Sequence, residues 1–75
     1  MAENFSYSFE GEHNVISTGS GGWVLELNKI SWNGRPAKYD IRSWSEDHQK
    51  MGKGVTLTTD DLLKLKELLN TIEIN

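Results

Sequence analysis

Apolar and polar residues alternate over most of this chain and switch to helical spacing near its end. Phe5, Tyr7 and Phe9 alternate with Ser6, Ser8 and Glu10, the period-two pattern of a strand with one buried face. Gly11 interrupts it, and Val15 and Ile16 resume it after a bend or bulge, so a first strand is expected over about 5–18. Gly19-Ser20-Gly21-Gly22 reads as a loop. A second strand follows over about 23–33, where Trp23, Leu25 and Leu27 share one parity and Ile30 and Trp32 the other. That change of phase predicts a bulge at Asn28-Lys29. Asn33-Gly34 marks a turn, which Pro36 lengthens. The third strand, about 38–45, puts Tyr39 and Ile41 on one side, assigned to the core. Lys38, Asp40, Arg42 and Trp44 fall on the other side, assigned to an open face. Ser45 to Met51 is a polar loop, and a short fourth strand, about 54–58, turns Val55 and Leu57 inward.

The period then lengthens. Thr58 or Thr59 caps a helix expected over about 59–72, and Thr58-x-x-Asp61 resembles a capping box with Asp in the place of Glu. Asp60 and Asp61 suit the positive end of the helix dipole, which explains this acid pair without any catalytic role. Leu62, Leu65, Leu68, Leu69 and Ile72 fall within about 120° of one another, a stripe suited to one face of the sheet. Leu63 lies off the stripe and is a candidate contact for a second subunit. Four strands and a helix place the chain in the α+β class, as a single domain over 1–75.

Size limits what this domain achieves alone. A chain of 75 residues buries only about 60% of its unfolded surface. It has no cysteine, hence neither disulfide nor the usual zinc knuckle. His13 and His48 stand apart among polar neighbours with no metal-ligand spacing, so neither metal nor cofactor is expected. Self-association is the remaining source of stability, and a homodimer is expected. No apolar stretch approaches the ~20 residues of a membrane span. Met1-Ala2-Glu3-Asn4 lacks the features of a signal peptide, so a cytoplasmic protein is expected. Nucleophile, base and orienter form no recognisable arrangement, which argues against an enzyme.

Charge sharpens the picture. The net charge is −3, yet six bases face only three acids between Lys29 and Lys53. Such segregation can present a basic face, because salt screens charges over about 8–10 Å. Lys38-Tyr39-Asp40-Ile41-Arg42-Ser43-Trp44 then interleaves cations with rings, as a single-stranded nucleic acid requires. Trp32 and Trp44 would stack bases, Arg42 would fork onto phosphate or lie on a ring, and Lys38, Lys50, Lys53 and Arg35 would neutralise phosphates. Lys53 lies between Gly52 and Gly54, in a loop able to approach a phosphate that is nonetheless no Walker loop. Tyr39, Trp23 and the phenylalanines read as core, Trp32 reads equally as core or contact, and Trp44 reads as contact by its parity with Lys38 and Arg42. Asp40 would pair with Arg42. The acidic start of the helix suits no duplex groove. The second reading is a protein–protein interaction domain with exposed tryptophans as hot spots.

Trp23-x-x-Glu26-Leu27-Asn28-x-Ile30-Ser31-Trp32-Asn33, Lys38-Tyr39-Asp40-Ile41-Arg42-x-Trp44 and Lys50-Met51-Gly52-Lys53-Gly54-x-Thr56-Leu57 resemble the bacterial YdbC-type proteins. These are similar to the C-terminal domain of the eukaryotic transcriptional coactivator positive cofactor four. The resemblance covers about Phe5 to Leu69. It implies a curved four-stranded antiparallel sheet with one C-terminal helix, a homodimer, and binding of single-stranded DNA with little sequence preference, RNA being the alternative ligand. It also implies a link to the transcription machinery and, in a bacterium, to the nucleoid. By position, Trp32 matches the aromatic ending strand two, Arg42 the arginine of Asp-Ile-Arg, and Lys53 the lysine before the strand-four glycine. Trp44 falls beside the family's aromatic pair. Lys38 and Lys50 correspond more loosely across loops of different length. Ile30-Ser31 stand where the coactivator has a further base, a place Lys29 would fill.

Overall fold

Strands β1 (Tyr7–Thr18), β2 (Val24–Trp32), β3 (Lys38–Trp44) and β4 (Met51–Leu57) form one antiparallel sheet in sequence order, followed by helix α1 (Thr59–Leu69). This is a computed structural model that describes residues 6–75, so Phe5 lies outside the described residues. The fourth strand begins at Met51, ahead of its expected start at Gly54, because Met51 still pairs with Trp44.

Turn chemistry sets the connections. Asn33 and Gly34 both take positive φ (52° and 77°), and Arg35 N donates to Trp32 O at 3.0 Å. That is the primed geometry for which Asn-Gly is suited. Thr58 is the N-cap of α1, its Oγ1 accepting from Asp61 N at 3.0 Å, as the capping pattern predicts.

The expected bulge in β2 does not exist. β2 pairs with β3 without a break from Val24 to Ile30, and the irregularities lie in β1 and β4 instead. The change of phase has another cause. Both faces of β2 are covered, one by Leu25 and Leu27, the other by Glu26, Asn28 and Ile30, and the latter three are all buried. Two polar residues on a buried face disguised a regular strand. The bulge sits opposite them, between Glu10 and Asn14 of β1, where Asn14 N donates to the Asn28 side chain at 3.1 Å. Gly11 opens that bulge with φ at 78°.

The two faces differ in how well they are closed. On one, Tyr7 and Phe9 cover Trp44 and Ile30, both 0% exposed. On the other, Leu62 and Leu65 of α1 face Leu27 and Ile41 across an apolar groove of about 500 Å³. No residue of α1 is buried. Leu68, Leu69 and Ile72, expected to cover the sheet, remain about half exposed, as do Val55 and Leu63. Val55, expected to turn inward, lies across from Ile41 on the helix side and stays half exposed. No helix among the described residues is long and apolar enough to cross a membrane.

Candidate nucleic-acid interface

Alternation along β2 and β3 brings Trp32, Lys38, Asp40, Arg42 and Trp44 to one face, with Ile30 opposite Lys38 and Glu26 opposite Arg42 in the ladder. The face is basic only at its margin. Arg42 lies at its centre, its side chain 15% exposed, and is held from several sides. Its Nε and Nη2 each donate at 2.7 Å to the Asp40 carboxylate, a bidentate pair, as expected for this couple. Nη1 reaches Met51 Sδ at 3.1 Å and Gly52 O at 3.5 Å. The guanidinium lies over the Trp32 ring, 4.9 Å from its centroid. Asp40 is fully buried, and Thr56 Oγ1 donates to its Oδ2 at 3.4 Å. Arg42 is thus largely neutralised by Asp40 and packed against the Trp32 indole.

Gly54 makes this possible. A Cβ there would run into the Arg42 side chain and lie 2.6 Å from the Ile41 carbonyl. The second glycine of the Gly-Lys-Gly segment therefore leaves room for the close passage of Arg42. Opposite Ser43, the ladder slips between Arg42 and Trp44, leaving Lys53 at the bulge, exposed.

Trp44 is not on an open face. It is 0% exposed, enclosed by Phe9 at 5.1 Å, Tyr7 at 5.6 Å and His48 at 5.7 Å between ring centroids. Its indole N–H has no acceptor among the described residues, so bulk rather than hydrogen bonding explains the tryptophan. Strand parity placed it correctly beside Lys38 and Arg42. The N-terminal strand then curls over that face, which parity along β3 does not register. Trp32 is half-buried, with Tyr7 at 5.4 Å on one side. Trp23, expected in the core, is the most exposed of the three indoles at 36%. It lines a shallow cleft with Ser45, Glu46, Asp47 and Lys50.

The remaining bases divide. Arg35 and Lys38 are exposed at the turn end of the sheet near Trp32; Lys50 is exposed at the opposite end near Trp23. Lys38 and Trp44 are six positions apart on β3, so the two ends lie about 20 Å apart. Lys29 belongs to the other face, its Nζ 5.7 Å from the Tyr39 ring centroid. It does not join Lys38 and Arg42.

The fold also assembles a cluster that spacing along the chain did not reveal. Glu26, buried in β2, accepts from Asn28 Nδ2 at 2.8 Å. Its carboxylate lies 3.0 Å from His48 Nε2 and 3.3 Å from His13 Nδ1. Burial alone would raise the Glu26 pKa, but hydrogen bonds from Asn28 and His48, with the field of both imidazoles, hold it below the ordinary value. Asp47, fully exposed, is also lowered, through hydrogen bonds from Gln49 N and the Ser45 hydroxyl that fix the loop bearing His48. The two histidines look isolated in the sequence because 34 residues, including all of β2 and β3, lie between them.

A family model described as Transcriptional Coactivator p15 (PC4) matches residues 20–68, from the β1–β2 loop to the end of α1. The chain belongs to this family. The match takes in Trp32, Arg42 and Lys53, and leaves β1 outside. A protein of Treponema pallidum (strain Nichols), described only as uncharacterized, is 51% identical over 73 residues, which is 97% of this chain and 86% of that protein.

Proposed function

We propose that this PC4-family chain binds single-stranded DNA with little sequence preference, as a homodimer, and acts with the transcription machinery rather than as an enzyme. Family membership carries the nucleic-acid reading. The arrangement around Trp32 supports the mode. An indole backed by a fixed guanidinium is a rigid stacking platform, and base stacking is worth about 1–3 kcal/mol and tolerates any sequence. Exposed Arg35, Lys38 and Lys53 supply phosphate contacts, and Lys50 extends the track towards Trp23. Lys29 is left out of this track, and Trp44 is assigned to its support.

The homodimer is supported by the uncovered side of the molecule. Ile16, Val55, Leu63, Leu68, Leu69 and Ile72 are 46–56% exposed on a chain only 75 residues long. The radius of gyration is 13.9 Å, against about 11 Å for a compact chain of this length. A second copy laid on α1 and the edge of β1 would cover an apolar surface that one copy leaves in water. Leu63 is proposed as one of its contacts.

Titration with a fluorescent oligothymidine of about twenty nucleotides, long enough for one binding site, tests the reading. Tryptophan quenching and saturable binding at low salt are expected. A protein–protein domain would show neither. A matched RNA competitor separates the two nucleic acids: weaker competition is expected, and equal competition would remove the preference for DNA.

A further inference from the structure

We propose that His13, Glu26 and His48 form a binding site for a borderline first-row divalent cation such as zinc, clasping three separate segments of the chain. The site shares a sheet face with Arg42 and Trp44 but uses none of the bases proposed to contact phosphate. His13 comes from the β1 bulge, Glu26 from the middle of β2 and His48 from the β3–β4 loop.

Geometry is the first argument. One donor atom from each residue lies within 4.8 Å of the other two. A tetrahedral ion with bonds of about 2.0–2.2 Å sets its ligands about 3.3–3.5 Å apart. From Glu26 Oε1 the separations are 3.3 Å to His13 Nδ1 and 3.1 Å to His48 Nε2, close to a tetrahedral edge, and the three donor atoms all lie within 4.8 Å, so an ion would need only to draw the two imidazoles closer together. Two imidazole nitrogens and one carboxylate oxygen suit zinc and its neighbours, and suit magnesium or calcium poorly.

The second argument is charge. Glu26 is 2% exposed, and no lysine or arginine pairs with it among the described residues. Arg42, its ladder partner, turns away to Asp40. A buried carboxylate needs a compensating charge. The imidazoles supply one only when protonated; a divalent cation supplies one with both imidazoles neutral, the form in which they ligate.

The third argument is preparation. Asn28 Nδ2 fixes Glu26 Oε1 at 2.8 Å, as outer partners orient metal ligands. His48 sits at φ 59°, in a region where histidine is tolerated but glycine is at ease. Its loop is tied by Ser45 and Asp47, and the Tyr7 hydroxyl donates to its carbonyl at 3.4 Å. The His13 and His48 rings stack with centroids 4.5 Å apart, which brings their ligating nitrogens to the same carboxylate. His13 is 40% exposed, so the ion has a route in and water completes its coordination.

Untagged protein is titrated with zinc chloride by calorimetry and, separately, melted with and without zinc. One zinc ion per chain is expected. At a hundredfold excess over Kd the melting temperature should rise by roughly 10–20 °C. Cobalt chloride should give the intense visible absorption of a four-coordinate ion. His13→Ala, at the exposed edge of the cluster, should keep the fold and lose both the heat and the thermal shift; His48→Ala should behave alike. Absence of heat and of any shift in the wild-type protein would refute the site. Binding of unchanged strength in both variants would place the ion elsewhere and refute it equally. Neither readout involves nucleic acid, so this result and that of the oligothymidine titration are independent.

Discussion

Arg42 and Trp44 occupy the same strand face two positions apart, yet their surroundings give them different work. Trp44 has aromatic rings around it and no water; Arg42 has a carboxylate along one edge and an indole beneath it. Trp44→Ala should therefore destabilise the fold by about 3–5 kcal/mol, measured by urea denaturation. That approaches the whole stability of a domain this small. A loss under 1 kcal/mol would mean that the ring is not structural. Arg42→Lys keeps the charge but forfeits the bidentate fork and the flat stack, so affinity for oligothymidine should fall about as far as in Arg42→Ala. Full affinity in Arg42→Lys would make charge the only contribution. Gly54→Ala should cost about 1–3 kcal/mol by overpacking against Arg42. The same chemical unfolding experiment checks it, and a neutral result would deny the close passage. Asp40 as partner of Arg42 was legible in the sequence from parity and charge alone. The burial of Trp44 was not, because it depends on where β1 lies.

At the scale of elements, local rules worked where local chemistry decides. The Thr58 cap, the Asn33-Gly34 turn and the strand-to-helix order follow from side chains within a few residues of each feature. Thr58→Ala should cost about 1 kcal/mol, seen as a lower denaturation midpoint at unchanged slope. An unchanged midpoint would leave the cap without energetic weight. Local rules failed where two distant segments meet. The change of phase at Asn28-Lys29 reads in the sequence as a bulge, and His13 and His48 read as solitary residues. Each is explained by the others: the β1 bulge brings His13 over Glu26, the β3–β4 loop brings His48, and Asn28 serves both bulge and carboxylate. A period-two count registers faces, not which polar groups will satisfy one another across them.

On the scale of the whole molecule, one copy leaves its helix unburied and its basic residues at two ends of a sheet face. Pairing through α1 would close the first deficiency and double the second into a longer cationic track. Sedimentation at micromolar concentration should give twice the mass of one chain, and Leu63→Lys or Ile72→Lys should shift it towards the monomer. A monomeric mass for the wild-type protein with a cooperative fold would remove the dimer. The claim on which the account turns is that exposed lysines and arginines on this face neutralise the phosphates of a single strand. It is tested most directly by the salt dependence of oligothymidine affinity. With Arg35, Lys38, Lys50 and Lys53 engaged, the log–log slope should be about −3 per chain, and Lys53→Ala should reduce its magnitude by about 0.7. An affinity that does not respond to salt, or a slope left unchanged by Lys53→Ala, would contradict it.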